Sequence, residues 1–139
     1  HRSCRGPRHR AAARQIRVSL QDGRKVIGLD FDGVLHDYHG WNGGKLAGPI
    51  PGMLLLVTRL QSEGAHVVIH TTRKAEEIAP WLYEHGFPDL PVYNEKWSRI
   101  DVYVDDRAVA FTPDRVRFAD VFARELLDFE PHWRRPANP

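Results

Sequence analysis

The chain has 139 residues, enough for one domain with a real core, and its 42% hydrophobic and 27% charged content is ordinary for a globular protein. The one cysteine, Cys4, excludes an intrachain disulfide, and no Cys/His set has structural-zinc spacing. No apolar run approaches the ~18 residues that span a bilayer and no signal-peptide core is present, so the expectation is a cytoplasmic protein without membrane contact.

The net charge of +2 hides an asymmetry. Residues 1–17 hold six arginines and no acid, a charge of +6 that leaves −4 for the remainder. This basic arm is expected to be a flexible or upstream-encoded extension; a docking element for nucleic acid and an Arg-rich transit peptide are the alternatives. Next, Ile16-Arg17-Val18-Ser19-Leu20 alternates as a strand does, and Asp22-Gly23 signals a turn before the apolar run Val26–Leu29. Residues 33–50 are rich in Gly, His and aromatic residues and suggest a loop or small hairpin outside the core. Pro51-Gly52 opens a helix from Met53 to about Ser62, stopped by Gly64. Ala65–His70 is a buried-type strand. Ala75–His85 is a second helix, with Ile78, Trp81 and Leu82 on its core face. Short strands are expected at 91–93 and 109–111, a buried-type strand at Ile100–Val104 and a last helix at about Phe118–Phe129.

Strands alternating with helices of about ten residues predict βαβ crossovers: a three-layer, Rossmann-like α/β fold around a central, mainly parallel sheet. The expected division is an arm at 1–17, one catalytic domain at 18–130 and a loose, proline-rich tail at 131–139. In such sheets ligands bind beyond the carboxyl ends of the strands. Asp30 and Asp32, Thr71, and Asp105 with Asp106 all fall at such ends. Alternation would point Asp30 and Asp32 the same way if the strand continued through Phe31. Like charges so close need a cation or a shared proton to relieve them. Four carboxylates on one edge form a hard-oxygen site suited to Mg²⁺, and a neighbouring hydroxyl (Thr71) and lysine (Lys96) complete the equipment for phosphoryl transfer.

Asp30-Phe31-Asp32-Gly33-Val34 resembles the first motif of the haloacid dehalogenase (HAD) superfamily, Asp-x-Asp-x-Thr/Val after an apolar strand. Val67–Thr71, Lys96 and Val102–Asp106 resemble its second, third and fourth motifs, in order, over residues 25–125. The resemblance implies a Mg²⁺-dependent phosphohydrolase cleaving a phosphomonoester through an aspartyl-phosphate. It assigns Asp30 as nucleophile, Asp32 as general acid/base, Thr71 and Lys96 as phosphoryl binders, and Asp30, Asp105, Asp106 and the Asp32 main-chain carbonyl as metal ligands. Lys74 rivals Lys96, and Thr72 rivals Thr71. The 41 residues from Asp30 to Thr71 and the 25 from Thr71 to Lys96 leave no room for a cap domain. The implied partner is a phosphorylated small molecule or nucleotide. A nucleic-acid end-processing phosphatase using the arm is an alternative, and so is a receiver-like phosphoacceptor module. The receiver is disfavoured because Asp-x-Asp comes first here and the adjacent acid pair last.

Among the other residues, Asp101 and Trp81 are expected to be structural, and loop polarity is taken to explain His36. His70 is expected on the sheet face opposite Thr71. Tyr38 and Trp41 are candidates for stacking on a base or sugar.

Overall fold

The computed structural model describes residues 22–134. The basic arm and the alternating segment 16–20 lie outside them. The elements are β1 (Val26–Leu29), α1 (Met53–Ser62), β2 (His66–His70), α2 (Ala75–Glu84), β3 (Val92–Tyr93), β4 (Val102–Val104), a 3₁₀ turn (Pro113–Phe118) and α3 (Ala119–Asp128). The four strands form one parallel sheet in the order β3-β2-β1-β4. The fold is α/β with a Rossmann-like parallel sheet, as the alternation of elements predicts.

Each strand presents two faces. Ile27, Leu29, Val67 and Ile69 point to one, where Val57 of α1 and Ile78, Trp81 and Leu82 of α2 cover them. Spacing explains the match: Met53, Val57 and Leu60 recur at i, i+4, i+7, so α1 lays one stripe on the sheet. Val26 and Val68 point to the other face, against Ile100 and the half-buried Tyr93, Trp97 and Tyr103. Gly28 sits opposite this cluster, and a Cβ there would lie 2.9 Å from Ile100 Cγ2, so the sheet needs its bare backbone.

Three elements depart from expectation. β4 is an edge strand whose Val102 and Val104 are 39% and 37% exposed rather than buried: neither belongs to the core that α1 and α2 cover, and α3 buries no side chain among the described residues. Residues 109–111 form no strand. The loop after β1 enters the core, with Val34, Leu35 and His36 all buried: its backbone folds back so that the Phe31 carbonyl accepts from the N–H groups of Val34, Leu35 and His36. The last helix is present, preceded by the 3₁₀ turn, and buries no side chain among the described residues.

Topology places the site. The chain runs from β1 to β2 to β3 on one side, then returns past β1 to add β4 on the other. The order therefore reverses between β1 and β4, and a crevice opens at their carboxyl ends. Each interval between β1, β2 and β3 holds a single helix and no second domain. Among the described residues no helix is long and apolar enough to cross a membrane.

Candidate active site at the carboxyl ends of the strands

Beyond the strand ends lies an open cavity of about 400 Å³, lined by Asp30, Asp32, Tyr38, Trp41, His70, Thr71, Thr72, Arg73, Asn94, Asp105 and Arg107. Parallel pairing sets β1 level with β2 and β4, Leu29 opposite both Ile69 and Val104. The next residues of each strand therefore emerge side by side. The Asp30 N–H donates to the Val104 carbonyl at 2.9 Å, carrying the pairing one residue past β1. Asp101 secures the other end: its carboxylate accepts from the Val26 N–H at 2.8 Å, the structural role expected of it.

Two acid groups result. Asp30, Asp105 and Asp106 each offer a carboxylate oxygen, all within 4.8 Å of one another, a grouping able to hold a metal ion. No salt bridge neutralises any of the three among the described residues. Burial, then the Asp106 carboxyl and the charge of Asp105, push the Asp30 carboxyl up to about 8, against a 2.7 Å hydrogen bond from the Phe31 N–H. Asp106 Oδ1 is buried without a hydrogen-bond partner. A buried orphan oxygen beside two further carboxylates is what a divalent cation would satisfy.

Asp32 belongs to the second group. The strand stops at Leu29, and the turn at Phe31 sends the Asp32 carboxylate to different partners: His36 Nδ1 at 2.8 Å and Arg73 Nε at 2.7 Å. Its side chain is thus not in the cation cluster, contrary to the shared direction a continued strand would give. Burial pushes the Asp32 carboxyl up, but the hydrogen bonds from His36 and Arg73 and the Arg73 charge outweigh it and hold the group below the usual range.

His36 is 3% exposed, so loop polarity does not account for it. Its Nε2 accepts from the Ala47 N–H at 2.8 Å, which leaves the proton on Nδ1 and aims it at Asp32. The ring stacks on Phe31, whose other neighbour is the edge of Trp81. Trp81 is core as expected, and its indole N–H donates to the Ala47 carbonyl at 2.8 Å.

Thr71 lines the cavity, and its hydroxyl oxygen accepts from the Arg73 N–H at 3.2 Å, leaving its own proton to donate. Thr72 lines the cavity too. His70 lies on the sheet face opposite Thr71, as expected, edge-on to Tyr103, and its side chain also reaches the cavity beyond the strand ends. Lys96 is the residue the structure leaves out. Its Nζ lies over the Tyr103 ring at 5.9 Å. It is not among the residues that line the cavity. The cause is the aromatic packing of this segment, in which the Tyr103 hydroxyl accepts from the Trp97 N–H. Lys74 does not line the cavity either; it stands at the start of α2, where its backbone N–H donates to Glu77 Oε2.

The cations and amides that do line the cavity are Arg73, Arg107 and Asn94. Asn94 Nδ2 donates to the Thr71 and Arg73 carbonyls at 2.7 and 2.8 Å, binding the loop after β2 to the end of β3. Sequence reasoning missed all three, although Arg73 and Arg107 directly follow the motif ends Thr71-Thr72 and Asp105-Asp106. It also missed the residues after Pro131. Pro131 is buried, His132 Nε2 donates to the Gly33 carbonyl at 2.7 Å, and the Trp133 indole N–H donates to Asp106 Oδ2 at 2.5 Å. Residues 131–134 are therefore tied to the site, not loose. The reason is Trp133, which meets Tyr38 edge-on and packs against the guanidinium groups of Arg107 and Arg134.

No protein-family model matches the chain, and no curated protein does. Among solved structures it is similar to a conserved protein from Bacteroides thetaiotaomicron, with a TM-score of 0.50 and 22% identity over 74% of this chain and 93% of that one. A protein from Vibrio cholerae matches with a TM-score of 0.43 and 19% identity over 73% of this chain and 98% of that one. The likeness to the Bacteroides protein is one of fold.

Proposed function

We propose that this chain is a capless, HAD-like phosphohydrolase that uses Mg²⁺ to cleave a phosphomonoester, with a phosphorylated small molecule or nucleotide as substrate. The observation that carries it is the convergence of Asp30, Asp105 and Asp106 within 4.8 Å at the point where strand order reverses, in one cavity with Asp32 and Thr71. The residues fit the ion: three carboxylates, one with a buried orphan oxygen, and none of them salt-bridged among the described residues. Mg²⁺ held there would neutralise phosphoryl oxygens and favour the ionised form of Asp30.

The chain's own groups divide the rest of the work. An Asp30 oxygen attacks phosphorus as the ester P–O bond breaks, and the leaving oxygen departs with the electron pair. Water then attacks the phosphorus of the aspartyl-phosphate, releasing inorganic phosphate and restoring Asp30. Asp32, ionised at rest, takes up a proton as the anionic substrate binds and passes it to the leaving oxygen; ionised again, it takes the proton of the attacking water and returns it to solvent. His36 and Arg73 hold it in place for both tasks. Thr71 donates its free hydroxyl proton to a phosphoryl oxygen. Arg73 and Arg107 replace Lys96 as the positive charges at the mouth.

A phosphate-release screen over sugar phosphates, nucleotides and aryl phosphates, with Mg²⁺ or with excess chelator, tests the assignment. Turnover that needs Mg²⁺ and disappears in Asp30→Asn is expected. Full turnover in excess chelator, or in Asp30→Asn, would overturn it.

A further inference from the structure

The C-terminal segment reaches back across the whole fold to touch one acid of the cation cluster. We propose that Pro131–Arg134 is a clamp in which the Trp133 indole presets Asp106 for a divalent cation, an inference that rests on the phosphohydrolase assignment above.

Asp106 follows a three-residue edge strand and stands beside two other carboxylates, so nothing in β4 itself fixes its side chain. Repulsion from the adjacent Asp105 carboxylate would turn it outward. The Trp133 N–H opposes this by donating to Oδ2, which leaves Oδ1 as the oxygen without a partner. One oxygen is held by the protein and the other kept for the ion. Outer partners of this kind orient ligating carboxylates.

The indole is itself constrained on several sides. Arg107 and Arg134 lie over its ring, with guanidinium carbons 5.3 and 4.9 Å from the ring centroid. Tyr38, from the cavity wall, meets it edge-on at 4.8 Å between centroids. One residue earlier, His132 holds the Gly33 carbonyl. Gly33 completes the socket: at its φ of +84°, an added Cβ would run into the Asp106 carboxylate and lie 3.0 Å from Trp133 Cδ1. The turn after the nucleophile, the fourth-motif acid and the C-terminal segment therefore meet in one contact. Trp133 is a positioning residue, acting through Asp106, and the clamp couples the far end of the chain to the Asp30 turn.

The test is direct Mn²⁺ binding to the full-length chain, with free Mn²⁺ measured by electron paramagnetic resonance, for the wild type and Trp133→Phe. Phenylalanine keeps an aromatic ring beside the two arginines and deletes the donor. Cation affinity should fall by about 10- to 100-fold. In the phosphatase assay, kcat at saturating cation should recover while half-saturation moves to higher cation, a split that a general loss of fold would not produce. Equal affinity in the two folded proteins would overturn the clamp and leave the phosphohydrolase assignment standing. A loss of kcat that no cation concentration restores would likewise overturn it. No Mn²⁺ binding by the wild type would overturn both. If Trp133→Phe does not fold, His132→Ala frees the segment without touching an acid or the indole, and should weaken Mn²⁺ binding in the same direction; unchanged affinity there would also refute the clamp.

Discussion

Arg73→Gln probes the pair that separates Asp32 from the cation cluster. Arg73 is 9% exposed at its side chain and Asp32 28%, with Nε and Oδ2 2.7 Å apart. A hydrogen bond to a charged group contributes about 1.5–3 kcal/mol. Asp32 is partly solvated and keeps His36, which argues for the lower end, about 1.5 kcal/mol. At ~4 °C per kcal/mol for a domain between the small and mid-sized cases, Tm should fall by roughly 6 °C at neutral pH. The pH dependence has a definite sign. Asp32 is held below its ordinary value of 3.8 in the folded state, so its contribution is fully present above 3.8 and is lost as pH falls through the lower, folded-state value. Urea denaturation of both proteins should therefore give a constant stability difference between about pH 5 and 7 that shrinks in more acidic solution. A difference that stays unchanged as the pH is lowered through the folded-state value, until the carboxylate is protonated in both states, would refute the ion-pair account. The cost would then lie in the packing of the guanidinium between Phe31 and Trp41.

Asp30→Asn should abolish phosphate release yet stabilise the cation-free protein. Asp30 is pushed up to about 8, so between 3.8 and 8 the wild type loses stability as pH rises while the variant does not; at pH 8 the variant should be ahead by at least about 1 kcal/mol in thermal unfolding. Gly33→Ala should cost about 1–2 kcal/mol from the positive φ alone and, by displacing Asp106, should also weaken cation binding measured by titration. Trp41→Ala, at a side chain 71% exposed, should change stability by less than about 0.5 kcal/mol. It should lower kcat/KM for aryl and nucleotide phosphates more than for sugar phosphates in a substrate panel, and a uniform effect would speak against stacking.

Much of the fold was legible in local sequence because its signals are local. Continuous apolar runs and helical apolar stripes mark β1, β2, α1 and α2 to within a residue or so, and Gly64 and Gly86 stop the helices as a residue of positive φ does. Asp30, Asp105 and Asp106 were visible as acids at strand ends, and parallel strands bring such ends together. What tertiary structure alone decided depends on contacts between distant segments. The turn at Phe31 parts Asp32 from Asp30, a split that the alternation of a continued strand would conceal. His36 looks polar in sequence, but Ala47 and Asp32 satisfy both ring nitrogens and let it be buried. Lys96 matches by order along the chain, yet its ammonium lies over the Tyr103 ring and does not line the cavity, where Arg73 and Arg107 stand instead. The role of Trp133 rests on a hydrogen bond to a residue 27 positions earlier, and no local pattern encodes a partner at that distance.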